Sequence, residues 1–500
     1  MGAILHSNVG LMHGLMGIFN AWCDRAPMLV LGATGPVDSR LRRPWIDWIH
    51  TAKDQGALLR DYVKWDDEPR SPEALVEAMM RAHLLTNAEP KAPVYVCLDA
   101  GLQEQRLERP VAFDVSRHPP APRQVADQAT VARVADLIRK ASRPLFLFGR
   151  GSRSPDDWDR RVALTEAAGA RVLTSIRERA IFPTDHPAHV GGSFFWASDT
   201  EKAALREADL IVSFDWVDLK GLFLQVGRDF ATPAVPVVHV SLDSHLHRGW
   251  SMDYFGLPPV DQPVTANADS FVEALLAELG DHLPQAAPAL TEVPDYLAAP
   301  GEEIAPKDLE IALQKLRGGR AITLAHVTIG WSGQVYQFRE PLDFLGGDGG
   351  AGLAAGPGLT VGAALALKDS GRIVVGVLGD GDFLQGATAL WTAARYQIPA
   401  LFIVSNNRSN YNDEIHQEAV ARHRGRPVEN KSVGQAINDP EISLTDIARA
   451  QGVEAIGPVT THAELEAAIL NGFAAVEAGR PCFIDVRVAA GYATTPLSRG

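Results

Sequence analysis

Short apolar runs rich in Val, Leu, Ile and Phe recur along the chain, and between them lie stretches in which apolar residues return every third or fourth position. Runs of the first kind read as strands and stretches of the second as amphipathic helices. In order, the predicted strands are "PMLVLGA" and "PVYVCLD", then "PLFLFGRG", "RVLTS", "DLIVSFD" and "PVVHVSLD", then "RAITLAH", "RIVVGVLGDGD", "PALFIVSNN" and "PCFIDVRV". Strands alternating with helices predict parallel sheets covered by helices, an α/β architecture. The helix expected after Asp380 carries Phe383, Leu384, Ala387, Leu390, Trp391 and Ala394, a spacing that buries one face. Two proline-rich passages, 117–124 and 283–306, break the pattern and read as linkers. They delimit three blocks, 1–116, 125–282 and 307–490, each expected to be a doubly wound parallel-sheet domain. The first block offers fewer strands than a complete domain needs and is expected to be incomplete.

Composition narrows the function. The 500 residues exceed what one core supports, and 46% hydrophobic residues suffice to fill several. A net charge of -14 without a basic cluster excludes a nucleic-acid footprint, which needs Lys and Arg gathered on one face. No apolar run is long enough to span a membrane, and the first residues lack a signal-peptide pattern. A soluble cytoplasmic protein with a small-molecule ligand is expected. Cys23, Cys97 and Cys482 are scattered without metal-ligand spacing and are expected to be buried thiols.

Chemistry concentrates in "GDGDFLQGATALWTAARYQIPALFIVSNNRSN", residues 379–410. Asp380 closes one predicted strand and Asn407 the next, so both fall on the carboxyl edge where open α/β sheets bind ligands. Gly379 and Gly381 let backbone approach a ligand, and helix amides there face a diphosphate. The Asp380 carboxylate, the Asn407 amide oxygen and the Ser409 carbonyl supply three oxygens to one divalent cation. Mg²⁺ prefers six, shared between protein, water and phosphate. Asp380 and Asn407 are therefore expected to clamp Mg²⁺, which clamps a diphosphate.

This stretch resembles the cofactor signature, GDG followed at an interval by NN, of the thiamine diphosphate-dependent 2-oxo acid enzymes, which include benzoylformate decarboxylase and acetolactate synthase. "LHSNVGLMHGLMGIFNAWCDRAPMLVLGA" and "YVKWDDEPRSPEALVEAMMRA" are similar to that family's first domain. The resemblance implies three domains: pyrimidine-binding, central and diphosphate-binding. It implies thiamine diphosphate and Mg²⁺ as cofactors, and decarboxylation of a 2-oxo acid, with carboligation to a second carbonyl as a further outcome. It also implies a homodimer or homotetramer gripping the cofactor between chains. By position, Asp380, Asn407 and Ser409 would ligate Mg²⁺, and Gly379, Gly381 and Asp382 would lie against the diphosphate. In "GGAGLAAGPGLTVGAAL", Leu353 would wedge beneath the bent cofactor and the Ala351 carbonyl would meet its aminopyrimidine. His6 falls on the family's proton-transfer histidine.

About sixty residues of the family pattern, with its first strands and the glutamate that activates the cofactor, have no counterpart before His6. A catalytically silent cofactor-binding protein is therefore the first rival reading. A nicotinamide-dependent oxidoreductase is the second, resting on the two spaced glycines of "LFGRGSRS". The central domain of relatives binds FAD, an adenine nucleotide or nothing, and FAD is not indicated here. His326 replaces a residue that is usually acidic and is expected to have no role. His13, His245 and His247 form no constellation. Residues 420–431 are where relatives place a mobile loop, and a solvated helix face is expected there.

Overall fold

A computed structural model describes residues 1–175, 177–192, 196–243, 256–280, 293–329, 331 and 335–491. His245, His247 and the first part of the second predicted linker lie outside them. The strands form three parallel sheets with helices between most consecutive strands, the α/β class predicted. The chain divides into two compact units, Met1–Ser142 with Asp209–Gly280, and Arg143–Ala208 with Asp281–Gly500.

In the first unit, strands β1 (Gly2–Ile4), β2 (Leu29–Thr34), β3 (Asp66–Asp67) and β4 (Val94–Asp99) are ordered β1-β2-β4-β3. The second sheet comprises β5 (Pro144–Phe148), β6 (Arg171–Thr174), β7 (His189–Gly191), β8 (Leu210–Phe214), β9 (Val237–Val240) and β10 (Gln262–Val264). Strands β8 to β10 lie in the first unit and β5 to β7 in the second.

The third sheet, in the second unit, holds β11 (Ile322–His326), β12 (Ile373–Gly379), β13 (Leu401–Asn406), β14 (Glu454–Val459) and β15 (Cys482–Arg487), in the order β11-β12-β13-β15-β14. Alternate residues of β13 enter two different cores. Leu401 and Ile403 pack with Leu324, Val377, Phe473 and Ile484, and Phe402 and Val404 with Val374, Leu378, Phe383 and Leu390. A central strand buried on both faces reads as a continuous apolar run, which is why "PALFIVS" was legible.

Each strand predicted from an apolar run is present. The five unpredicted ones, β1, β3, β7, β10 and β14, are all terminal in their sheets. The helix expected after Asp380 is two helices, Asp380–Gly386 and Ala389–Tyr396. The break follows Gly386, whose missing side chain leaves room for the Ala354 carbonyl and the Pro357 ring. Trp391 consequently faces solvent instead of joining the buried stripe. Cys97 and Cys482 are buried as expected, and burial pushes their thiols up to about 11 and about 12. Cys23, the last residue of the helix Val9–Cys23, is only half-buried.

Candidate functional site

Strands β12 and β13 are neighbours in register, with Gly379 opposite Ser405, so the residues that follow them emerge side by side on the carboxyl edge. Asp380 is 3% exposed. The Ser409 amide donates to Asp380 Oδ2 at 3.2 Å and to Asn407 Oδ1 at 3.0 Å. One N–H thus gathers the two side-chain oxygens that the sequence singled out. Burial raises the Asp380 carboxyl to about 6, against the opposing pull of the Gly381, Arg408 and Ser409 amides. A desolvated carboxylate of this kind gains most from a bound cation.

The two asparagines divide their work. Asn406 Nδ2 donates to Asp485 Oδ1 at 2.8 Å, and Asn406 Oδ1 accepts from the Arg408 amide at 3.2 Å. That buried pairing ties β13 to β15 and sets the turn in which Arg408 takes a φ of 62°. Asn407 is left to face Asp380. Ser409 Oγ donates to the buried Glu414, and the segment around Ala436 pairs antiparallel with Ser409. The Asn410 amide donates to the Gln435 carbonyl at 3.0 Å, and the Ile437 amide to the Arg408 carbonyl at 2.8 Å. Gly381 is small for a local reason, since any Cβ there would collide with the Asn410 side chain. Gly379 faces open space.

Ala351 and Ala354, with φ of 49° and 80°, flank Leu353, which is 52% exposed. Left-handed backbone costs an alanine about 1–2 kcal/mol, so something must hold this loop. Asp382 does: its Oδ1 accepts from the Ala354 amide at 2.8 Å and the Gly356 amide at 3.4 Å, while Oδ2 is buried without a hydrogen-bond partner. The side chain named for the diphosphate is thereby engaged with the neighbouring helix.

Sequence reasoning missed Asp348, Asn410 and Glu414, and set His326 aside. His326 Nδ1 donates to the Val377 carbonyl at 2.9 Å. Burial raises the Asp348 carboxyl, a pull that His326 opposes and Asp382 reinforces. Burial also raises Asp382, again opposed by His326. Asp348, His326 and Asp382 meet only through folding, and no local spacing announces them.

In the first unit, His6 follows β1, is exposed, and sets its ring 4.7 Å from that of His50, edge to face. His50 Nδ1 donates to the Ile46 carbonyl at 2.7 Å. Among the described residues, no group of three His, Cys, Asp or Glu is placed to hold a metal. The site at Asp380 is of another kind, one carboxylate beside an amide, which suits an ion that completes its shell on phosphate and water. Among the described residues no helix is long and apolar enough to cross a membrane.

Residues 327–486 match the thiamine pyrophosphate enzyme C-terminal TPP binding domain, and residues 131–275 the thiamine pyrophosphate enzyme central domain. The chain is 26% identical over 498 residues to a benzoylformate decarboxylase of Pseudomonas aeruginosa, covering 96% of this chain and 86% of that one. It is 22% identical over 420 residues to a probable acetolactate synthase large subunit of Methanocaldococcus jannaschii, covering 81% and 69%. Its fold is like that of the crystal structure of benzoylformate decarboxylase from Polynucleobacter necessarius, with a TM-score of 0.78 at 22% identity over 99% of this chain and 88% of that one. The central-domain match contains strands β5 to β10, and the C-terminal match contains β12 to β14 and the Asp380, Asn407 and Ser409 convergence. The chain therefore belongs to the thiamine diphosphate-dependent enzymes of the 2-oxo acid decarboxylase and acetolactate synthase kind.

Proposed function

We propose that this enzyme uses thiamine diphosphate and Mg²⁺ to decarboxylate a 2-oxo acid, releasing the product after protonation or joining it to a second carbonyl. The observation that carries the reading is the meeting of Asp380 Oδ2 and Asn407 Oδ1 on the single Ser409 amide, at the ends of adjacent strands. In it, Asp380, Asn407 and the Ser409 carbonyl hold Mg²⁺, and Gly379 leaves room for the diphosphate. The exposed Leu353 supports the bent cofactor and the Ala351 carbonyl receives its aminopyrimidine. When bound, the cofactor supplies an electron sink for cleavage of the bond beside the keto group. His6, with His50 against its ring, is the candidate to move a proton. We assign the three domains to 1–116, 125–282 and 307–490, within which both family matches fall. The functional form is a homodimer or homotetramer in the cytoplasm.

The test is calorimetric titration of thiamine diphosphate with Mg²⁺ into the parent and Asp380→Ala. Removing the only carboxylate ligand should weaken binding at least about tenfold to a hundredfold. Equal affinity in the two proteins would refute the assignment. CO₂ release from a panel of 2-oxo acids, benzoylformate and pyruvate first, then identifies the substrate.

A further inference from the structure

Helix Ala355–Ala366 begins after Ala354, a residue with no side chain to cap it, and no side-chain cap of its own is formed. Exposed amides at a helix start need an oxygen, and Ser, Thr, Asp or Asn at that position normally supplies it. Here the oxygen comes from elsewhere in the chain. Asp382 Oδ1 accepts from Ala354 and Gly356, the first and third residues of a capping pattern. Two glycines make room for this. A Cβ on Gly356 would collide with the Asp382 carboxylate, and a Cβ on Gly386 would lie 2.6 Å from the Ala354 carbonyl. Ala354 is thereby gripped at its amide by the start of helix Asp380–Gly386 and crowded at its carbonyl by the end of the same helix.

We infer that Asp382 is a positioning residue: a cap supplied by a neighbouring helix of the same chain that holds Ala354 in its left-handed conformation and so fixes Leu353 relative to Asp380. Because Asp382 stands two residues after Asp380 on one short helix, the turn that would hold the cation and the loop that would support the cofactor move as one body. The inference rests on the cofactor reading above for what Leu353 supports, but the clip itself is a property of this chain.

The experiment compares the parent with Asp382→Ala, Asp382→Asn, Ala354→Gly, and the double variant Asp382→Ala with Ala354→Gly. Each is measured for its thermal unfolding midpoint without cofactor and for thiamine diphosphate affinity at saturating Mg²⁺. Asp382→Ala should lower the midpoint by about 2–4 °C and weaken affinity about tenfold. Asp382→Asn keeps the accepting oxygen and should stay within about threefold of the parent. The decisive arm is rescue. Glycine adopts the left-handed conformation without a clip, so Ala354→Gly in the Asp382→Ala background should restore most of both quantities. A double variant no better than Asp382→Ala, an Asp382→Ala indistinguishable from the parent, or an Asp382→Asn as damaged as Asp382→Ala would each overturn the inference. If the parent itself binds no thiamine diphosphate, the cofactor reading falls and the unfolding midpoints alone decide the clip.

Discussion

Asp380 carries a pH signature of its own. Its carboxyl, raised by burial to about 6, binds a proton more tightly in the folded chain than in the unfolded one. Stability falls with pH wherever the folded state holds the extra proton, so the metal-free protein should lose stability as pH rises from below 4 through 6. Above 6 that cost is constant. The contribution is isolated as the difference between unfolding curves of the parent and Asp380→Asn over this range, and a flat difference would count against a desolvated carboxylate. Because cation and proton compete for the same oxygens, apparent Mg²⁺ affinity should weaken about tenfold per pH unit below 6. Asp380 and Asn407 were legible in the sequence because a polar residue at the end of a buried strand is rarely there for packing. The work of Asp382 was not legible, since its partners Ala354 and Gly356 lie far back along the chain and nothing in the intervening pattern points to them.

Among elements, the strands the sequence hid are informative. β3 is the dipeptide Asp66–Asp67, and β1, β7 and β10 are three residues each. A terminal strand is paired on one side only, so it can be as short as these and need not be apolar, as the six-residue β14 also shows with its mostly half-exposed pattern. Interior strands such as β12 and β13 show the reverse. Beside the starts of β11 and β12 lies a buried ion network. Asp343, fully buried, receives Arg317 at 2.9 Å and Arg372 at 2.6 Å, and Arg372 also donates to the Ile322 carbonyl at 2.8 Å and to Thr323 Oγ1 at 2.7 Å. Removing the shared anion strips Arg317 of its ion-pair partner and leaves Arg372 paired only with the exposed Glu340 at 2.7 Å. Asp343→Ala should cost about 3–5 kcal/mol, read from urea unfolding. A loss below about 1 kcal/mol would mean that water reaches the network freely.

At the scale of the whole molecule, the helix Val9–Cys23 presents Val9, Met12 and Met16 on one exposed face, and Trp45, Trp48 and Ile49 are exposed as well. Apolar residues at helical spacing ordinarily face a core. The proposed homo-oligomer gives them a partner surface. Light scattering at micromolar concentration should return the mass of a dimer or tetramer, and Met12→Glu with Met16→Glu should shift it towards monomer. A monomeric parent would remove the oligomer from the proposal. The three parallel sheets were legible because the interior strands of each are written as apolar runs. The identity of the 2-oxo acid was not, because a substrate pocket is assembled from loops whose meeting is decided by tertiary structure.

The segment after helix Tyr411–His423 returns to the site under restraint. Lys431 pairs with Glu418 at 2.7 Å, and residues 435–437 bond back to the turn at 408–410. Between those anchors, residues 422–427 are exposed. Both ends of the excursion are thus fixed to the frame, and its crest takes no part in the backbone bonds that hold the turn at 408–410. This is the geometry of a replaceable part. The crest can lengthen, shorten or change its side chains while Asp380 and Asn407 keep their places.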